Sequence, residues 1–215
     1  MLNNCSDVNN NPACDRITVS GAFFGSPEFK DKGAYVIGFY RAAFDRLPTY
    51  PEFATGLASL TGTTAQEAFA RRAVFANDFL LRSEASQYNV VSNADYVSAL
   101  MGKYSLASIT TPDPANPDDQ NKVTLTSADL TNRLNAGTLT RGQVLRAIVQ
   151  SDQVVNAEAL NVFVASQYYG YLRRAPETDG FNAWKNYLTA HPNDFRAMVN
   201  GFMNSAEYRL RFGQP

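Results

Sequence analysis

The chain has 215 residues, of which 45% are hydrophobic and only 18% are charged. This balance is typical of a folded globular protein, and the length is sufficient to bury a core without help from a metal or a disulfide. The formal net charge is −1 and no run of lysine and arginine occurs, which argues against nucleic-acid binding because phosphate groups require a basic face. No segment has the roughly 20 consecutive apolar residues that span a membrane, so no membrane span is predicted.

The N-terminal segment is rich in asparagine and contains both cysteines of the chain, Cys5 and Cys14. Two cysteines so close together predict a disulfide in an oxidising compartment and free thiols in a reducing one. Pro12 is suited to the first turn of a helix that continues to Phe24. No zinc-ligand spacing, phosphate-binding glycine loop or nucleophile motif occurs in the sequence. The sequence therefore predicts no metal, no cofactor and no catalytic residue.

Helix signals dominate the rest of the chain. Ser26, Pro27 and the early carboxylate of Glu28 form a typical helix start, which predicts a helix that continues to Phe44. The stretch from Thr110 to Val123, which contains three prolines, is predicted as the one long loop.

Two further helices are predicted to begin at capping boxes, in which a threonine and a residue three positions later satisfy each other's backbone amides. These boxes are Thr64 with Glu67 and Thr140 with Gln143. Other helices are predicted at residues 51–60, 93–103, 127–136, 154–174, 179–190 and 194–212, the last of them broken near Ser205.

One helical pattern occurs twice. The segments Tyr35–Pro48 and Phe163–Pro176 are both predicted helices that end in arginine, any residue and proline, and Tyr40 corresponds to Tyr168. We therefore predict an all-α protein, a compact bundle of about ten helices built from diverged tandem helical units. Repeats of this kind usually build scaffolds or binding surfaces rather than catalytic clefts.

A carboxylate follows each copy of the repeated helix. Arg46 and Arg174 lie at the ends of the two helices, and Glu84 and Glu207 follow downstream, each just after an apolar helix and a small residue. A guanidinium held by two carboxylate oxygens would lock the end of one helix to the start of another. Alternatively, each charge only complements a helix end, because cations favour C-termini and anions favour N-termini.

Aromatic side chains supply the remaining candidate residues. Trp184, the only tryptophan, is predicted to anchor the packing of a short helix. Tyr40 and Tyr168 are predicted on the packed faces of the two repeated helices. Because Tyr168, Tyr169 and Tyr171 cannot all face one core from an α-helix, Tyr169 is predicted to be exposed and, with Tyr171, to bind a sugar or a partner.

The C-terminal copy resembles a known family. The string YxxYLRRAPETDGFxxW at residues 168–184, followed by FxNSxEY at residues 202–208, resembles the DUF4214 domain. This family is a helical module of bacterial surface and secreted proteins, and its helical pattern is distantly similar to that of phycobilisome linker domains. The match is good over roughly 145–213, whereas the copy at 35–84 has Thr49–Phe53 in place of the segment that contains Gly180 and Trp184.

The resemblance implies a domain organisation and a setting. Residues 1–30 are predicted to be the C-terminal part of a truncated first unit, residues 31–109 a first DUF4214-like unit, residues 110–125 a loop and residues 126–215 a second unit. Membership would imply a secreted or cell-surface location in a bacterium, which fits the disulfide between Cys5 and Cys14. The family has no established catalytic residues to transfer to these positions.

The function expected from these features is that of a non-catalytic interaction or structural module of a bacterial secreted or cell-surface protein. Its expected partner is a protein or a glycan at the cell surface, or a second copy of the chain. Two alternatives remain open from the sequence. A carbohydrate-binding module requires Tyr169 or Trp184 to be exposed in a groove, and a self-assembling subunit of a surface layer or filament is expected to expose large apolar patches.

Overall fold

A computed structural model of the chain describes residue 19 and residues 27–116, 121–192 and 194–213. Cys5 and Cys14 lie outside the described residues, so the disulfide stays a prediction. Of the helix predicted from Pro12 to Phe24, only Val19 is described.

Eleven α-helices and a single two-stranded sheet make up the described part of the chain, which confirms the prediction of an all-α protein. Among the helices that the structure describes, none has the length and apolar character needed to cross a membrane. The helices are α1 (Pro27–Phe44), α2 (Tyr50–Ser59), α3 (Ala65–Phe79), α4 (Ser86–Asn89), α5 (Asn93–Gly102), α6 (Ser127–Asn135), α7 (Arg141–Val149), α8 (Asp152–Gln167), α9 (Thr178–Ala190), α10 (Phe195–Met203) and α11 (Ala206–Phe212). A 3-10 helix, Ser83–Ala85, precedes α4, and a π-helical segment, Tyr168–Leu172, follows α8.

Polar caps set the starts of several helices, because a side chain satisfies backbone amides that lack a partner within the helix. Thr140 and Gln143 form the predicted capping box at the start of α7. Thr64 accepts a hydrogen bond from the backbone amide of Glu67 at 3.1 Å. The carboxylate of Glu67 accepts from the amide of Thr63 instead, so the reciprocal half of this predicted box is displaced by one residue.

The predicted long loop is in part a β-hairpin. Strand β1 (Ser108–Pro112) pairs antiparallel with strand β2 (Lys122–Thr126), and the paired residues Ile109 and Leu125 are both buried. The loop prediction is wrong for these two strands. The prolines and aspartates of this segment indicated a loop and outweighed two short runs of β-branched residues, which favour the pleated conformation.

The first turn of α8 contacts both strands of the hairpin. The backbone amide of Thr110 in β1 donates to the side-chain oxygen of Gln153 at 2.9 Å. Lys122 in β2 forms an ion pair with Asp152. Neighbouring residues of one helix thus bind opposite strands of the sheet.

The chain divides into two compact units. The central unit comprises Tyr35–Ala159, and the terminal unit comprises Met1–Ala34 and Leu160–Pro215. Residues 110–125, predicted as the divider between repeats, lie inside the central unit, because the hairpin packs against α6 and α7.

Aromatic rings fill much of the core of the central unit. The ring of Phe39 lies 5.2 Å from that of Phe75 and 5.2 Å from that of Phe79, edge to face in both pairs. Close backbone packing joins α3 to α7. A Cβ atom added at Gly142 would lie 2.5 Å from Asn77 Oδ1 and 3.0 Å from the carbonyl oxygen of Ala76.

The terminal unit has its own core. Partly buried aromatic residues, including Trp184 and Phe181, surround it. Its buried members come from the end of α8, the π-helical segment, α9 and α10, and they are Val164, Tyr168, Tyr171, Leu172, Leu188, Met198, Val199 and Phe202.

We expect Gly142→Ala to lower the free energy of unfolding by about 1–3 kcal/mol, because the new methyl group would collide with the side chain of Asn77 and crowd the backbone of Ala76 in α3. Gly102→Ala is the matched control: no atom lies within 4 Å of its added Cβ, and alanine favours helix by up to about 1 kcal/mol. Urea denaturation of both variants measures the difference. Equal effects of the two changes would contradict the close contact between α3 and α7.

Candidate functional site

Each unit contains an arginine clamp, which consists of one arginine, two glutamates and one tyrosine in mutual contact. The central clamp is formed by Tyr40, Arg46, Glu52 and Glu84, and the terminal clamp by Tyr168, Arg174, Glu177 and Glu207. Both of the arginine–glutamate pairs expected from the sequence form in the structure.

In the central clamp, all five N–H donors of Arg46 have acceptors. Nε and Nη2 donate to the two oxygens of Glu84 at 2.8 and 2.6 Å, while Nη1 and Nη2 each donate to Glu52 at 2.9 Å. The remaining Nη1 hydrogen faces the carbonyl oxygen of Leu47 at 3.1 Å. The guanidinium carbon lies 4.8 Å from the centre of the Tyr40 ring. A lysine has only three donors and no planar fork, so it cannot reproduce this arrangement.

The terminal clamp has the same plan. Nε and Nη2 of Arg174 donate to the two oxygens of Glu207 at 2.8 and 2.9 Å, and Nη1 donates to the carbonyl oxygen of Ala175 at 3.1 Å. A second carboxylate, that of Glu177, accepts from Nη1. The guanidinium carbon lies 5.3 Å from the centre of the Tyr168 ring.

A left-handed backbone residue precedes each clamp arginine. Asp45 has φ of 54° and Arg173 has φ of 50°, a conformation that non-glycine residues adopt only at a cost of roughly 1–2 kcal/mol. Such a residue ends a helix and turns the chain. The two repeated helices therefore end in the same strained geometry immediately before the arginine.

The clamp glutamates lie at the starts of other helices, three of them in a first turn and Glu177 as the N-cap of α9. Glu84 belongs to the 3-10 helix, and Glu52 lies in the first turn of α2. Glu207 lies in the first turn of α11, which begins because the hydroxyl of Ser205 accepts the amide of Tyr208 at 3.1 Å. Each clamp thus ties the end of one helix to the starts of two others.

The hydrogen bonds keep the groups of the central clamp charged. Glu84, and then Glu52, raise the pKa of Arg46 by accepting its hydrogen bonds. The same bonds hold the pKa of Glu84 below its usual range and lower that of Glu52 to about 2. These carboxylates are therefore ionised at neutral pH.

The groups of the terminal clamp shift in the same directions. Hydrogen bonding to Glu207 raises the pKa of Arg174, and hydrogen bonding from Arg174 lowers the pKa of Glu207. Burial is the largest single effect on Glu177 and disfavours its charged form, but the hydrogen bond and positive charge of Arg174, a backbone hydrogen bond and the hydroxyl of Tyr168 together lower its pKa. Burial raises the pKa of Tyr168 to about 12.

The second carboxylate comes from a different position in each clamp. In the central clamp it is Glu52, six residues after the arginine, and Thr49 stands three residues after the arginine as the N-cap of α2. In the terminal clamp the N-cap is Glu177, and the position equivalent to Glu52 is Gly180. A Cβ atom at Gly180 would lie 2.2 Å from Glu177 Oε1, so the glycine leaves space for the carboxylate of Glu177.

The tyrosine cluster differs from the prediction. Tyr169 is only 2% exposed, and Tyr168 and Tyr171 are buried as well, so the prediction of an exposed Tyr169 is wrong. That prediction assumed α-helical spacing, but Tyr168–Leu172 is π-helical and its wider turns rotate successive side chains differently. The exposed residue of this segment is Gly170.

Trp184 is partly buried against the core of the terminal unit. Its ring stacks on Phe202, with the centroids 5.9 Å apart. A Cβ atom at Gly201 would lie 3.0 Å from the indole, so this glycine provides the space for the ring.

Sequence reasoning missed a buried ion pair in the central unit. The carboxylate of Glu158 accepts from Arg41 Nε at 3.1 Å and from the hydroxyl of Tyr104 at 3.0 Å. The sequence of α8 could have indicated the burial of Glu158. This residue lies four positions after the apolar Val154, on the same face of the helix, and that face is buried in the structure.

Another arginine, Arg141, was also missed. It lies 5.0 Å from the centre of the Tyr96 ring and donates to the carbonyl oxygens of Tyr88 and Val91 and to the side-chain oxygen of Asn93. Its acceptors are mainly backbone atoms, and no pattern of side chains in the sequence indicates them.

Within the described residues, no group of three or more His, Cys, Asp or Glu side chains is arranged to hold a metal ion. Comparison of the chain with protein-family models, with curated proteins and with solved structures gives no match.

We expect Arg46→Ala to lower the free energy of unfolding by about 2 kcal/mol, on the scale of charged hydrogen bonds at a partly exposed site. Arg71→Ala is the control, since among the described residues Arg71 forms an ion pair only with Glu67, one turn earlier on an exposed face, and its loss should cost no more than about 0.5 kcal/mol. Urea denaturation measures both. Similar losses would show that the clamp is no stronger than a surface pair.

We expect Glu177→Thr and Gly180→Glu each to destabilise the terminal unit, by removing a partner of Arg174 and by overpacking the clamp, at about 1–2 kcal/mol each. The double variant reproduces the Thr49 and Glu52 arrangement and should recover part of that loss, because the Cβ atom at position 180 still meets the hydroxyl of Tyr168. A double-mutant cycle by thermal unfolding should therefore give a favourable coupling of at least about 1 kcal/mol. Additive losses would mean that the two clamps are not interchangeable.

Proposed function

We propose that the chain is a non-catalytic interaction module of a bacterial secreted or cell-surface protein, and that it binds another protein through the segments held by its clamps. One observation carries this proposal. The three most exposed large hydrophobic side chains among the described residues are Leu81, Val90 and Leu210, which are 82%, 86% and 89% exposed. All three lie on the two segments that contain the downstream clamp glutamates, Glu84 and Glu207.

In the central unit this segment runs from residue 81 to residue 90 and contains Glu84. It is fixed at several points besides the clamp. The hydroxyl of Tyr88 donates to the carbonyl oxygen of Ala43, and Arg141 donates to the carbonyl oxygens of Tyr88 and Val91. Leu81 and Val90 are therefore presented on a firmly held backbone, which lowers the entropic cost of binding.

In the terminal unit the corresponding segment is α11, which contains Glu207 and Leu210. Next to it, the guanidinium of Arg173 lies 5.1 Å from the centre of the Phe212 ring. Exposed aliphatic and aromatic side chains beside arginines are typical of protein interfaces.

The electrostatics of the clamps support a binding role over a catalytic one. A general acid must hold a proton near neutral pH, whereas Glu52, Glu84, Glu177 and Glu207 all have lowered pKa values. Their hydrogen bonds are directed to arginine and join helices.

A protein partner has more support than a glycan. Sugar binding depends on an exposed aromatic face, but Tyr169 is buried and Trp184 packs on Phe202. The most exposed hydrophobic side chains on the clamp segments, Leu81, Val90 and Leu210, are aliphatic. The proposed setting in a bacterial secreted or surface protein rests on the resemblance to DUF4214 modules.

The test compares binding by the parent chain with that by a triple variant, Leu81→Ser, Val90→Ser and Leu210→Ser. Light scattering over a concentration series first measures self-association. Binding of labelled protein to bacterial cells is then measured before and after protease treatment, which removes surface proteins and leaves glycans.

We expect the triple variant to lose at least about tenfold in affinity, because each buried aliphatic side chain contributes about 1.5–3 kcal/mol. The control variant Val74→Ser with Val155→Ser removes exposed valines away from the clamp segments and should bind like the parent. Binding that resists protease, or that survives in the triple variant, would contradict the proposal.

A further inference from the structure

A buried polar side chain in the terminal unit stands where the other copy has an aromatic ring. With Tyr168 aligned to Tyr40, Gln167 takes the position of Phe39. Phe39 is fully buried among aromatic rings, and Gln167 is likewise 0% exposed. One fold position therefore holds an apolar ring in one copy and an amide in the other.

Within the part of the chain that the structure describes, neither the amide nitrogen nor the amide oxygen of Gln167 has a hydrogen-bond partner. The hydroxyl of the adjacent Ser166, which is 2% exposed, also lacks one. Ser166 in turn takes the position of Gly38, where a Cβ atom would lie 2.8 Å from Val149 Cγ1. Two successive buried positions of the repeated helix are thus polar in the terminal copy and apolar in the central copy.

The backbone next to Gln167 is also unusual. The π-helical segment begins at the following residue, Tyr168, whereas the equivalent Tyr40–Phe44 of the other copy is α-helical. Single π-helical turns are rare, and they occur frequently at functional sites. The polar substitutions and the change of helix type therefore coincide.

We propose that the side-chain amide of Gln167 binds an internal water molecule. A buried amide must be hydrogen-bonded to offset its lost hydration. Its two donors and its acceptor fit water, which makes about three hydrogen bonds in protein interiors. The ligand is small because Gln167 is fully enclosed. It is neutral because an amide has no net charge to compensate the desolvation of an ion.

Water relaxation dispersion and water–amide cross-relaxation on the whole chain test this proposal. We expect a long-lived water and a cross peak to the side-chain amide protons of Gln167, both lost in Gln167→Met, which has a similar length and no amide. Gln87→Met, at an exposed glutamine, is the control and should leave the dispersion amplitude unchanged.

An unchanged dispersion amplitude in Gln167→Met would overturn the proposal. A higher melting temperature of Gln167→Met, together with no water signal in the parent chain, would also overturn it, because the amide of the parent would then have no partner. If Gln167→Met fails to fold, the cross peak of the parent chain decides. Its presence supports the bound water, and its absence refutes it.

Discussion

Hydrogen bonding of one arginine to two carboxylates is the interaction on which the helix junctions of both units depend. A guanidinium presents five N–H donors in a fixed plane. Arg46 lies two residues after the end of α1, and all five of its donors have acceptors. Because one side chain binds the first turns of two other helices, it sets where three elements meet. A residue in the left-handed region precedes it in both copies, Asp45 in one and Arg173 in the other.

The sequence predicted the helices and half of each clamp. Arg46 and Glu84 were identifiable because their pattern repeats at Arg174 and Glu207. The other half was not predictable, because Glu52 lies six residues after its arginine and Glu177 only three. The two glutamates are equivalent only in that each binds the arginine of its own clamp. The strands were missed because prolines and aspartates outweighed short β-branched runs. The exposure of Tyr169 was predicted wrongly because the prediction assumed α-helical periodicity. No residue pattern in the sequence indicates the π-helical turn.

The two copies show how far one helical unit diverges while its clamp persists. The central copy buries Phe39 in an aromatic core, and the terminal copy buries Gln167 at the same position. The connecting segment differs as well, with a capping box at Thr49 in one copy and the pair of Glu177 and Gly180 in the other. The arginine, its facing tyrosine and the downstream glutamate are kept in both. Geometry at the helix end is thus retained while the interior of the unit changes.

The contact of α8 with the hairpin has a consequence for colloidal behaviour. A two-stranded sheet has two open edges, and open edges template the addition of foreign strands. The side chain of Gln153 takes the amide of Thr110, and the charged Lys122, held by Asp152, stands on the other strand. A charged lysine and an occupied amide both discourage edge-to-edge growth into aggregates. Two neighbouring polar residues at the start of one helix therefore act against the addition of a foreign strand at this hairpin.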